Sequence, residues 1–279
     1  LATIVLSDEG AYQDECQDST PENEQDDCAD FQPITHKSFG DFFILVNAKT
    51  SVGSQVSLMP YYILLDQNPN ATDVNRDRLI HSPGLRVEGS NKDTFNYSMD
   101  AVYQFGRASK EQSHHAWMVA TSIDYSIQNN TFSLWYEENT GDGDKEDGVD
   151  ENFEPFWGKF HGHRGYGDFI GPINSRDIGF GLQYQINPYW SVNTNVHYLQ
   201  LSNPEGSWYA FNRKVIGTPP IGNGDANIGQ EIDFNVITNP IKGLKVNCGY
   251  SFVRPIGVAY DVMGGDPNHI AYVWSTFKR

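Results

Sequence analysis

The stretch EIDFNVITNPIKGLKVNCGYSF, Glu231 to Phe252, alternates polar and apolar residues almost one for one, twice, around a short Asn-Pro-Ile-Lys-Gly break. In its first half Ile232, Phe234 and Val236 share one face, with Glu231, Asp233 and Asn235 on the other. In its second half Leu244, Val246, Cys248, Tyr250 and Phe252 repeat the scheme opposite Lys245, Asn247, Gly249 and Ser251. A period of two on both sides of a turn marks a β-hairpin. The apolar face needs a dry neighbour, which is either the core of a soluble sandwich or lipid.

Composition narrows the choice. The 279 residues suffice for one large β domain or two smaller ones. Only 38% are hydrophobic, and no apolar run approaches the roughly 20 residues of a membrane-spanning helix. A helical membrane protein is thereby excluded. A transmembrane β-barrel is not, because its strands alternate and need only about 10 residues each. Aromatics at 13%, with 26 glycines and 15 tyrosines, suit an all-β chain.

Runs of alternation bounded by turn residues predict about twelve strands, at 1–7, 38–48, 52–65, 79–89, 93–107, 114–127, 131–139, 177–186, 189–201, 229–238, 243–253 and 269–278. The connections after alternate strands are tight: KTS, SNK, QNN, NP and NPIKG. The others are longer, with long loops expected at about 8–37, 140–176 and 202–227. Sorting of turns to one end and loops to the other is the habit of an outer-membrane barrel, with the turns periplasmic. A compact soluble domain, whose connections are mostly about 4–6 residues, has no reason for it. Phe95, Tyr97, Met99, Ala101, Tyr103 and Phe105 on one face of a strand, against Asn96, Ser98, Asp100 and Gln104, fit an apolar band ending in aromatic girdles.

The net charge of −17 is concentrated in two of the loops. Residues 8–37 hold ten Asp/Glu against one Lys, and residues 140–176 hold eight against four Lys/Arg. Nucleic-acid binding, which needs a basic surface, is not expected. Cys16 and Cys28 lie in the first acidic loop, close enough to pair, and a disulfide there implies an oxidising compartment. Two free loop thiols are the alternative. Cys248, on the apolar face of a strand, reads as a small hydrophobe.

Three stretches resemble the alginate-export family of Gram-negative outer-membrane barrels: RLIHSPGLRVEGSNKDTFNYSMDAVYQFG (78–106), ENTGDGDKEDGVDENFEPFWGKFHGHRGYGDFIG (138–171) and IGQEIDFNVITNPIKGLKVNCGYSFVRPIG (228–257). The marks are a Gly-Leu-Arg strand, a Tyr-Gln-Phe-Gly strand end, Thr-Gly-Asp followed by Asn-Phe-x-Pro, and a Gly-Gln-Glu-Ile-Asp strand start. The resemblance implies a barrel channel in the bacterial outer membrane, with lipid and lipopolysaccharide as neighbours and a hydrophilic solute or polysaccharide as cargo. Family barrels have more strands than twelve and this chain opens mid-pattern on Leu1, so a C-terminal part of a larger barrel is expected.

The inward positions predict a mixed, rather acidic pore lining: Arg86, Glu88, Asp100, Gln104, Asp124, Glu137, Glu231, Asp233 and Lys245. Carriage of a polyanion calls for opposite charge in the lumen, so this lining argues for little anion preference. Charge pairing across strands would instead make the same residues wall stabilisers. The loop DGDKEDGVDE suggests calcium held by Asp142, Asp144, Asp147 and Asp150, although Asp147 rather than Gly stands at the sixth position of an EF-hand. A solvated acidic loop is the default. His161, His163 and the adjacent His114 and His115 lack the cysteine partners or helical spacing of a metal site. No nucleophile elbow, haem motif or phosphate loop is present, so no enzyme and no cofactor is expected. The expectation is a single all-β domain over 1–279, an antiparallel transmembrane β-barrel acting as a porin-like channel. The alternatives are a secreted or surface β-sandwich that binds carbohydrate, and a barrel scaffold around a partner protein.

Overall fold

The computed structural model describes residues 2–8, 42–68, 77–91, 94–156, 164–218 and 225–277, with backbone alone for 2–8 and 42. The strands are β1 (Ala2–Asp8), β2 (Phe42–Ala48), β3 (Thr50–Val52), β4 (Val56–Gln67), β5 (Arg78–Asn91), β6 (Phe95–Arg107), β7 (Ser113–Ile127) and β8 (Asn130–Asn139). They continue as β9 (Val149–Asp150), β10 (Ser175–Asn187), β11 (Trp190–Gln200), β12 (Trp208–Tyr209), β13 (Val215–Gly217), β14 (Asn227–Ile241), β15 (Leu244–Pro255) and β16 (Asn268–Phe277). Among the described residues one short helix, α1 (Gly257–Met263), precedes the last strand.

Twelve strands form one continuous path, β1-β2-β4-β5-β6-β7-β8-β10-β11-β14-β15-β16, each antiparallel to the next. The twelve alternating segments of the sequence are these twelve. Among the described residues no pairing joins β16 to β1. One sequence expectation shifts: the first tight turn is at 53–55 rather than at KTS, because β3 prolongs β2 along β4 and Gly53, at φ +65°, takes the left-handed turn position.

Burial runs opposite to that of a water-soluble sheet. Along β14, Ile232 and Phe234 are 46% and 47% exposed while Glu231, Asp233 and Asn235 are 0% exposed. The same inversion recurs where Tyr103 and Phe105 stand out and Gln104 is buried between them. Among the described residues no second layer covers the apolar face, as a sandwich would require: the sheet is the wall of a transmembrane barrel, apolar outwards to lipid and polar inwards. Tyr62–His81 (2.5 Å), Tyr103–His115 (3.1 Å) and Tyr250–His269 (2.5 Å) pair across the outer face near the loop end. Tyr125, Tyr184, Tyr189 and Trp190 are exposed at the turn end. These are the two aromatic girdles that a barrel places at headgroup level.

The apolar core is small and lies inside the loop end. One cluster joins Phe169, Ile170, Leu199, Leu201, Trp208 and Val253 with Val258 and Ala259 of α1. Another joins Val102, Ala116 and Phe153. Both contain residues of the connection between β8 and β10, so that connection turns back into the barrel. Cys16, Cys28, His161 and His163 lie outside the described residues.

Candidate functional site in the lumen

The inward connection is fixed first by Thr140. Its hydroxyl accepts the Trp117 N–H at 3.0 Å, and its carbonyl accepts the N–H groups of Phe153 and Asn174, both at 3.1 Å. The acidic run then folds as successive side-chain turns: Asp142 accepts the Asp144 N–H (3.0 Å), Asp144 that of Glu146 (3.1 Å) and Asp147 that of Val149 (2.7 Å). Asp150 accepts the Asn152 N–H at 3.1 Å and stands 3.4 Å from His114 Nδ1. Burial and the nearby Asp150, Asp147 and Glu151 charges hold the Asp142 carboxyl above its ordinary range. For Asp150 burial acts the same way, but the His114 and Asn152 contacts outweigh it and leave the carboxyl below its ordinary range.

The segment then crosses the inner wall at Gln104, whose amide behaves as a missing strand partner. Gln104 Nε2 donates to Glu154 O at 2.9 Å, and Glu154 N donates to Gln104 Oε1 at 2.8 Å. The Glu154 carboxylate is ion-paired to Arg78 of β5 and, at 2.5 Å, to Arg213 between β12 and β13. Arg213 also donates to Pro155 O at 2.7 Å. Charges buried here are therefore compensated, as burial requires.

A second anchorage lies further along the sheet, at β8, β14 and β16. Arg164 is ion-paired to Glu137 of β8, and burial brings its guanidinium down to about 10 despite the opposing pull of Asp177. Gly165, at φ +78°, lies flat on Glu231, where a Cβ would come within 2.3 Å of the carboxylate. Glu231 Oε1 accepts the Gly167 N–H and the Ser251 hydroxyl, both at 2.7 Å. The Tyr166 ring packs on Tyr272 (4.7 Å between centroids) and Trp274 (5.2 Å) of β16. Burial and the Asp233 charge push the Tyr166 hydroxyl up from its ordinary value. Below, His197 of β11 stands between Asp177 (2.9 Å) and Asp233 (3.4 Å).

All nine residues expected at inward positions do face inwards, but they divide by environment. Gln104, Glu137, Glu231 and Asp233 are buried beneath the inserted connection. Arg86 bonds Glu88 at 2.8 Å and stands 3.9 Å from Asp100, which accepts the Tyr61 hydroxyl at 2.6 Å. Asp124 accepts the Ser133 hydroxyl at 2.6 Å, and Lys245 faces inwards near the turn end. His114 and His115 point to opposite faces of β7, which separates them. Among the described residues no three His, Cys, Asp or Glu side chains gather as a metal site, and the four loop aspartates are engaged in turns. Arg164, Asp177 and His197 escaped the sequence reading. The last two share the inward parity of their strands, whereas Arg164 sits in an aperiodic loop and carries no such signal.

Open space inside the wall is found at two places among the described residues. One, of about 420 Å³ at the turn end, is polar and lined by Ser57, Glu88, Asn96, Ser98, Ser122 and Asp124 among others. The other, of about 400 Å³, lies between β2–β8 and the inserted connection, with Arg86 and Arg164 on its walls.

The marks that resembled a family meet at this anchorage: Gln104 of Tyr-Gln-Phe-Gly holds Glu154 of Asn-Phe-x-Pro, and Glu231 of Gly-Gln-Glu-Ile-Asp holds Gly167. No curated protein matches the chain. Among solved structures it is similar to OccK5 (OpdH) of Pseudomonas aeruginosa, at 13% identity and TM-score 0.52, over 86% of this chain and 59% of that one. It is likewise similar to the outer membrane protein OprD of Pseudomonas aeruginosa, at 13% identity and TM-score 0.50, over 86% of this chain and 61% of that one. The chain thus spans about 60% of the length of these structures, and the likeness is one of fold. The family described as alginate export matches residues 24–266, and the chain belongs to that family of bacterial outer-membrane barrels.

Proposed function

We propose that the chain forms a passive outer-membrane channel for hydrophilic solutes, narrowed by the connection between β8 and β10 and unfavourable to anions. The observation that carries this reading is the inverted burial of the wall together with a connection nailed to its inner face at Gln104, Glu137 and Glu231. A wall that is polar inside and apolar outside encloses water, and an inserted loop sets the width.

The sign follows from the inner charges. Of the two inward arginines at the chamber of about 400 Å³, Arg86 is taken up by Glu88 and Asp100, and Arg164 by Glu137. Among the described residues the chamber therefore offers no unpaired cation to a polyanion such as alginate, and Glu88 and Asp124 line the polar space at the turn end. Lipid and lipopolysaccharide are the neighbours this reading gives the outward girdles. It needs no catalytic step and no cofactor. Calcium on the acidic loop would use the carboxylate oxygens of Asp142, Asp144, Asp147 and Asp150 beyond those that cap backbone amides; a higher melting temperature in millimolar calcium than in chelator would speak for it.

Planar-bilayer recording tests the proposal. The expected result is a steady conductance with a reversal potential, under a salt gradient, on the cation-permeable side. An anion-selective current would overturn the sign. Absence of any conductance by folded protein would overturn the channel and favour the barrel as a scaffold around a partner.

A further inference from the structure

The chamber of about 400 Å³ is not the wet, wholly polar space that a porin wall implies. Leu45, Met59, Ile63, Val102 and Met118 all face it from the wall, on the parity that elsewhere carries Ser, Asn and Asp. Phe153 and Phe156 face it from the inserted connection. Ile63, Val102 and Phe153 are already buried, but Leu45, Met59, Met118 and Phe156 keep partly exposed apolar surface on the space, which costs free energy in contact with water. Their concentration at one place, inside, is the lining of a small-molecule site: predominantly apolar, with few polar groups that fix orientation, at the lower end of the roughly 300–1,000 Å³ such sites occupy.

The charges at this place are closed upon themselves. Among the described residues the chamber carries two cations, Arg86 and Arg164, and two carboxylates, Asp100 and Glu137. Arg164 is paired to Glu137, and Arg86 stands 3.9 Å from Asp100 and 2.8 Å from Glu88. An anionic or cationic ligand would have to break one of these pairs and leave a buried partner exposed to low dielectric. Hydrogen bonding is available without that cost, from Asn47 and from Ser98 and Ser122, whose hydroxyls are 2.8 Å apart.

We propose that this chamber is a binding site for a net-neutral amphipathic small molecule: a ring-bearing apolar body carrying hydroxyl or amide groups. The inference rests on the channel reading for its route of access, but the site itself is a property of the chamber. A simple sugar lacks the apolar body that would cover Leu45, Ile63 and Met118. An oligouronate finds no free cation among the described residues of the lining.

The test uses the whole protein in lipid nanodiscs, with empty nanodiscs as the control for partitioning. Equilibrium dialysis is run with phenyl β-glucoside, glucose and digalacturonate. The expected result is saturable binding of phenyl β-glucoside at least tenfold tighter than that of the other two. Leu45→Asn and Met59→Gln, near-isosteric changes that add polarity at partly exposed wall positions outside the buried cluster, are expected to weaken it threefold or more each in protein that still shows the folded gel mobility. Equal binding of all three probes, tighter binding of digalacturonate, or unaltered binding by both folded variants would overturn the proposal. Bilayer conductance without any probe keeps the two readings apart. Selective binding without conductance removes the channel and keeps the site, and conductance without selective binding does the reverse.

Discussion

Phe234→Arg separates lipid from water as the neighbour of the apolar face. Phe234 is the central residue of the fifteen-residue β14, seven positions from either end, or about 24 Å along a strand rising about 3.4 Å per residue. In a barrel tilted about 35–45° that position falls near the bilayer midplane, where an arginine on the lipid face costs about 2–4 kcal/mol. The same substitution at Ile241, also outward but at the turn end of β14, falls at the interface and is expected to cost about 0–1 kcal/mol. Were these residues on an ordinary wet surface, both changes would stay within about 0.5 kcal/mol, because both side chains are already half exposed or more. The assay is reversible denaturant unfolding from lipid vesicles, followed by the heat-dependent shift in gel mobility that reports a folded barrel. Depth dependence of at least about 1 kcal/mol between the two sites is expected. Equal, near-zero costs would refute the assignment of the outer face to lipid.

Three further outcomes concern the inserted connection. Arg164→Ala strands the buried Glu137 and is expected to weaken docking of the connection by about 3–5 kcal/mol; single-channel conductance should rise and the Gly167 amide should exchange faster, and no change in either would sink the latch. Gln104→Ala leaves both the N–H and the carbonyl of Glu154 unpaired, a cost of about 1–3 kcal/mol to be read as a lower unfolding midpoint. Asp142, whose carboxyl is held above its ordinary value of 3.8, binds its proton more tightly folded than unfolded. Its penalty is therefore absent in strong acid, grows as pH rises, and is complete above the raised folded value. Asp142→Asn should stabilise the protein at pH 7 and make no difference well below pH 3.8, and stabilisation that grows in acid would contradict the sign.

The wall could be read in the sequence because each strand repeats its own instruction every second residue. A face holding Glu231, Asp233 and Asn235 can be matched to one holding Ile232 and Phe234 without knowing any contact. What alternation could not decide, sandwich or barrel, was carried by the sorting of short and long connections. The site was only half legible. Gln104 and Glu231 could be placed inwards by parity, yet their partners Glu154 and Gly167 lie 50 and 64 residues away in a loop without period. Arg164 meets Glu137 across 27 residues for the same reason. The apolar character of the chamber was visible in principle, since Leu45, Ile63, Val102 and Met118 fall on inward parity, but each reads singly as noise in a polar face. The acidic run reads as turns or as cation ligands because both use the same residues; Asp142, Asp144 and Asp147 each cap a backbone amide two residues on.

The most direct measurement is spin-label accessibility at adjacent positions of β14, with labels placed one at a time at Phe234 and Asn235 in a cysteine-free background, since Cys248 also faces outwards. Collision rates with dissolved oxygen, which concentrates in hydrocarbon, and with a water-soluble nickel chelate report the two environments. The expected result is an oxygen-accessible, nickel-shielded label at 234 and the opposite order at 235. Nickel access at 234 equal to that at 235 would contradict a wall with lipid on one side and a hydrated lumen on the other.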